Sequence, residues 1–122
     1  MEAYKFKLTY NSLVYIPQSI EILSLNVSWV TGIELDFSLI CLDVDGNYFD
    51  QSSFMQLITR DNSVIHKGDL HDLDGNGNDQ FDEVITINFS KLDKQVYSTW
   101  PIVTVYTQKR YFNSVTNFQM QI

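Results

Sequence analysis

Apolar residues in this chain recur at every second position, and that spacing constrains the fold more than any other feature. Tyr4, Phe6, Leu8 and Tyr10 alternate with Lys5, Lys7 and Thr9, while Leu23, Leu25, Val27 and Trp29 alternate with Ser24, Asn26 and Ser28. Alternate side chains of an extended chain share a face, so a period of two marks a strand with one face buried. Residues 35 to 44 are mostly apolar, as expected of a central strand covered on both faces. Further strands are expected over 54–58, 84–89, 102–107 and 115–122, with a short one at 63–66. Turn signals at Pro17, Gly32, Asp45-Gly46-Asn47, Asp61-Asn62 and Pro101 separate them. No segment sustains a helical period with caps; residues 90 to 96 are long enough for a single turn. About eight short strands at this spacing predict an all-β chain, an antiparallel β-sandwich. At 122 residues it is expected to form a single domain over residues 1–122.

Composition narrows the class. Hydrophobic residues make up 44% and aromatics 14%, enough for a packed core and too many for a disordered chain. No apolar run approaches the roughly 20 residues of a membrane helix, so no membrane span is expected. The start, Met1-Glu2-Ala3-Tyr4-Lys5, lacks the apolar centre of a signal peptide. The lone cysteine, Cys41, excludes an internal disulfide; together these features predict a cytoplasmic protein.

The net charge of −7 is unevenly placed. Residues 34 to 83 hold twelve of the fifteen acids but only Arg60 and Lys67 as bases, a local balance of −10. The rest of the chain carries +3. An acidic middle argues for a cation site and against nucleic acid, which attracts the opposite sign.

Within that middle, Asp72-Leu73-Asp74-Gly75-Asn76-Gly77-Asn78-Asp79-Gln80-Phe81-Asp82-Glu83 has oxygen side chains at its first, third, fifth, seventh and ninth places. The sixth place is a glycine and the twelfth a glutamate. This is the ligand spacing of an EF-hand calcium loop, in which roughly 6–8 oxygens must converge on one ion. A plain surface turn needs only Asp74-Gly75 and Asn76-Gly77, and leaves Asp72, Asn78 and Glu83 without a role. The flanks are not those of an EF-hand, which needs a helix on each side. The β-branched run Val84-Ile85-Thr86-Ile87 follows, so the loop is expected on a β scaffold.

Glu34, Asp36, Asp43, Asp45, Asn47 and Asp50 form a second acidic group. Glu34 and Asp36 share one strand face, as do Asp43 and Asp45 at its far end. Asp45-Gly46 also suits an ordinary hairpin turn, so the spacing leaves both readings open: a turn, or ligands for the Asp72 loop or a second ion.

Several of these segments, taken in order, resemble the TerD family of tellurite-resistance and general stress proteins. The resemblance rests on Trp29, Glu34-Leu35-Asp36-Phe37-Ser38, Leu42-Asp43-Val44-Asp45-Gly46-Asn47, Ser63-Val64-Ile65-His66-Lys67-Gly68-Asp69 and Asp82-Glu83-Val84-Ile85. The tail from Arg110 to Asn117 is similar to the family's last strand region. The resemblance implies a β-sandwich that binds Ca²⁺, often two ions, through acidic loops, without established catalysis. Asp36, Asp69, Asp82 and Glu83 match acidic positions of its motifs, and Asp43 and Asp45 match more variable ones. The chain departs from the family in having Leu70 after Asp69 and a longer loop rebuilt around Asp72 and Asp74. It also lacks a tyrosine-asparagine pair after Phe54.

The expected metal ligands are therefore Asp36, Asp43, Asp45, Asp69, Asp72, Asp74, Asn76, Asn78, Asp82 and Glu83, holding one or two Ca²⁺ ions. His66 and His71 could suggest zinc, but the surrounding donors are hard oxygens, and His66 reads better as a loop anchor. Trp29 and Trp100 are expected in the core. No serine-nucleophile, phosphate-loop or metalloprotease motif is present, so no enzyme is expected. The reading is a calcium-binding module in stress response, signalling or assembly, with a protein partner. The alternative is a module in which calcium shapes a pocket for an anion or carbohydrate.

Overall fold

The structure, a computed structural model, describes residues 16–29, 35–69, 83–105 and 119–121. Seven strands lie among them: β1 (Ile22–Ser28), β2 (Leu35–Leu42), β3 (Tyr48–Ser52), β4 (Val64–Asp69), β5 (Glu83–Asn88), β6 (Ser98–Val105) and β7 (Gln119–Gln121). They form two antiparallel sheets, ordered β4-β5-β1-β7 and β3-β2-β6. The expected all-β sandwich is what the chain forms, with the described strands one short of eight.

Alternation explains the core. β1 turns Leu25 and Val27 inward with Trp29 just beyond, β2 contributes Leu35, Phe37, Leu39 and Cys41, and β5 contributes Ile85 and Ile87. Val64 joins from β4. Each aliphatic side chain buried this completely contributes roughly 1.5–3 kcal/mol of transfer free energy. Cys41 is buried among them, and burial first, then the charges of Asp61 and Asp50, push its thiol up to about 11. That is the behaviour of a packing residue and not of a nucleophile.

The structure corrects several strand expectations. β3 lies at 48–52, because its two inward positions are Asp50 and Ser52, so no apolar alternation announces it. β2 is central but buried on one face only, with Ser38, Ile40 and Leu42 half-buried on the other. Pro101 does not make a turn. It sits inside β6, opposite Leu39, in the outermost strand of its sheet among the described residues, where a missing N–H can face away from the ladder. Trp29 is in the core as expected, but Trp100 is 56% exposed on the outer face of β6, its Nε1 donating to Ser98 Oγ at 2.9 Å. Residues 89–91 form one 3₁₀ turn. The expected strand from Tyr4 to Tyr10 lies outside the described residues.

Residues 54–58 are not a regular strand either. After β3, reciprocal bonds between Ser53 and Gln56 turn the chain, and it crosses to the other sheet along one side of the sandwich. Only Ile58 bridges to Ile65, flanked by His66 N–H donating to Leu57 at 2.7 Å and Thr59 N–H to Val64 at 3.0 Å. Two acids pin this crossing. Asp50, 4% exposed, accepts from the amides of Arg60 and Gln51 and from Gln56 Nε2 at 2.8–2.9 Å. Burial raises the Asp50 pKa, but these bonds outweigh it and hold the carboxyl below its ordinary value. Asp61 accepts from Ser63 N and Thr59 Oγ1, and from the Asp93 amide at 2.8 Å. Burial is again overridden, and its pKa falls to about 2.

Candidate metal centre

Strand phase places a carboxylate where apolar side chains belong. Glu83 opens β5 in register with Ile85 and Ile87, so it points inward at one end of the sandwich and is 6% exposed. On β4, His66 shares the inward phase of Val64. The two side chains meet, His66 Nε2 lying 3.1 Å from Glu83 Oε1. The contact is diagonal across the ladder, His66 pairing with Ile85, two residues from Glu83 on the same face. A bulge follows before Asp69, which pairs with Glu83, so β4 spends one extra residue there.

The second oxygen of Glu83 is the anomaly of the site. Oε2 is buried and, among the described residues, has no hydrogen-bond partner of good geometry. A carboxylate oxygen is a strong acceptor, and leaving it unsatisfied in a protein interior costs on the order of 1–3 kcal/mol or more. Desolvation pushes the Glu83 pKa above its ordinary value; the His66 hydrogen bond and charge and the Phe37 backbone amide oppose this, and the negative charge of Asp36 adds to it. A cation at Oε2 would reverse the balance.

Asp36 stands next to Phe37 at the start of β2, half-buried and close enough for its charge to act on Glu83. Asp69 is the direct cross-strand partner of Glu83. Three of the expected ligand positions thus come to one end of the sandwich. Residues 69 and 83 also bracket the segment carrying Asp72, Asp74, Asn76, Asn78 and Asp82, which lies outside the described residues, as do Glu34 and His71. Both of its attachment points are on neighbouring strands at the Glu83 end. Among the described residues, no three His, Cys, Asp or Glu side chains gather into a metal-binding group.

Asp43 and Asp45 are not brought to Glu83. They follow β2, whose eight residues separate them from Asp36 by roughly 23 Å at about 3.3 Å per residue. Asp43 Oδ1 accepts the amides of Asp45 at 3.0 Å and Asn47 at 2.8 Å, while Asp43 N–H bonds to Asn47 O at 2.9 Å. Gly46, at φ +80°, supplies the left-handed residue. This is an aspartate-stabilised hairpin turn, one of the two readings the spacing left open. Asp50, from the same acidic group, is likewise occupied by the β3–β4 crossing. His66, expected as a loop anchor, meets Glu83 across the β4–β5 ladder, a contact set by cross-strand register that spacing alone does not reveal.

The described strands thus define a two-sheet antiparallel β-sandwich with a buried acid, Glu83, at one end, within reach of the charge of Asp36. Residues 13–122 match the TerD domain, and the chain belongs to the TerD family, a family of tellurite-resistance type. No curated protein matches it.

Proposed function

We propose that this chain is a non-catalytic calcium-binding module whose ion is held at the Glu83 end of the sandwich. The observation that carries the reading is Glu83 Oε2, a buried carboxylate oxygen with no well-aligned hydrogen-bond partner among the described residues. The available donors fit a hard cation: Glu83 and Asp36 from β5 and β2, Asp69 beside Glu83, and the loop acids and amides Asp72, Asp74, Asn76, Asn78 and Asp82. Calcium tolerates irregular sets of oxygens, which suits ligands drawn from two sheets and a loop. When bound, the ion would supply charge neutralisation. The chain's residues do the rest: His66 orients Glu83, and the β4–β5 ladder fixes both ends of the loop. Asp43 and Asp45 would serve at most a separate ion.

On this reading the module acts in the cytoplasm as a calcium-dependent sensor or assembly element in stress response, with a protein partner. The absence of a catalytic role rests on the lack of a candidate nucleophile or general base apart from the ligands. The test is the thermal midpoint in millimolar Ca²⁺ against chelator. A ligand at 100 times its Kd stabilises the folded state by roughly 2.7 kcal/mol. Identical melting curves would overturn the proposal.

A further inference from the structure

Two exposed apolar faces adjoin on this molecule, and their charges are opposite. The first is the β3–β4 crossing, where Phe54, Met55, Leu57 and Ile58 are 60%, 80%, 44% and 47% exposed, with Ile65 beside them. These side chains are displayed by a backbone that is firmly held. Ser52 Oγ donates to Leu57 O, Gln56 Nε2 to Asp50 and Gln51 O, and Arg60 N–H to Asp50. Buried Asp50, Ser52, Thr59 and Ser63 all serve this segment. A loop that merely joined two strands would be expected to turn its apolar side chains inward or to carry polar ones. Its ionic edge is positive: Arg60, whose side chain is 74% exposed, and exposed Lys67 are the only bases between residues 34 and 83. The nearby acids Asp50 and Asp61 are turned into hydrogen bonds.

The second face is the outer side of the three-stranded sheet and its hairpin. Register places Tyr48 beside Leu42, and Ile40 beside Trp100. Tyr97 donates its N–H to Leu42 O. Val44, Tyr48, Tyr97 and Trp100 are 56–74% exposed, and the hairpin adds Asp43 and Asp45. Each face offers on the order of 500 Å² of side-chain surface, near the upper end for a monomer's largest patch. They adjoin across β3, where Arg60 Nη2 donates to Phe49 O at 2.8 Å, next to Tyr48.

We propose that a second copy of this chain covers these faces, in a two-fold dimer that lays the basic apolar crossing of each copy on the acidic aromatic face of the other. Two-fold symmetry makes this contact twice and covers both faces of both copies. That gives on the order of 1,000 Å² per copy, against the about 800 Å² per partner of a standard interface. Pairing like faces would set Arg60 and Lys67 against themselves. The net charge of −7 opposes approach only at long range, and a Debye length of about 8 Å at physiological salt leaves the near contacts to decide.

Sedimentation velocity in chelator, which separates this question from ion binding, tests the proposal. At about 100 μM, where a micromolar contact is nearly saturated, the chain sediments as a dimer. Met55→Asp and Asp45→Lys alter exposed side chains on the two faces, and each sediments as a monomer with an unchanged melting curve. Their equimolar mixture regains the dimer, because Asp on one face then meets Lys on the other. A wild-type chain that stays monomeric overturns the proposal, and so does a Met55→Asp variant that still dimerises. A mixture of the two variants that remains monomeric, or a wild-type species larger than a dimer, overturns the two-fold arrangement.

Discussion

Replacing Glu83 by glutamine separates the two consequences of burying a carboxylate at the end of a sandwich. In chelator, the wild type carries an inward carboxyl with one oxygen bonded to His66 and the other without a well-aligned partner among the described residues. Burial holds its pKa above the ordinary value. An acid whose folded pKa is raised contributes stability below its unfolded pKa, and that contribution is lost as pH rises through the folded pKa. At neutral pH Glu83 therefore costs stability in the absence of an ion. Glutamine removes the charge but keeps the shape and an acceptor for His66, so Glu83→Gln in chelator is expected within about 1 kcal/mol of wild type. Calcium separates them. At 100 times its Kd the ion stabilises the wild type by roughly 2.7 kcal/mol, about 10 °C in midpoint for a domain of this size. The variant loses most of that gain, because a lost ligand is not compensated by distant charge. Scanning calorimetry on both proteins, with and without Ca²⁺, reads the four midpoints. A variant that keeps the full calcium shift would refute the assignment of Glu83 as a ligand.

Other parts of the fold give independent expectations. Asp61→Asn, which weakens the acceptor for the Ser63, Thr59 and Asp93 bonds, is expected to cost about 1–3 kcal/mol by urea denaturation. Because the folded pKa of Asp61 is lowered to about 2, its contribution is present above its unfolded value near 3.8 and lost as pH falls from about 4 toward 2. Wild type and Asp61→Asn should therefore converge in stability over that window. Asp43→Ala removes the acceptor of two hairpin amides and should cost about 1 kcal/mol while leaving calcium affinity at the Glu83 end unchanged, which calorimetric titration would check. Leu39→Ala, at a fully buried position in β2, should cost about 2–5 kcal/mol.

Much of the sandwich was legible because its inward residues are apolar and alternate: β1, β2 and β5 follow that period closely. The sequence misled where a buried position is polar or an exposed one apolar. β3 was hidden because Asp50 and Ser52 face inward, and their burial makes sense only with the hydrogen bonds of a chain segment up to ten residues away. Residues 54–58 looked like a strand because their side chains are apolar, yet they are displayed on the surface. Pro101 looked like a turn because a proline breaks most strands, but the outermost strand of the sheet among the described residues tolerates it. At the candidate site, the twelfth place of the loop pointed to Glu83. Its partner His66 was not legible, since the contact depends on cross-strand register. For Asp43 and Asp45 the spacing left a turn and ligands both open, and only the backbone geometry shows Asp43 in a turn and Asp50 in the crossing.

The most direct measurement of the central claim is isothermal titration of the full chain with Ca²⁺ in competition with Mg²⁺. Saturable calcium binding that Mg²⁺ displaces only weakly is expected, since Mg²⁺ demands a near-octahedral set at about 2.0–2.1 Å. Absence of calcium heat and of any calcium-induced shift, or binding of Mg²⁺ as tight as that of Ca²⁺, would contradict it.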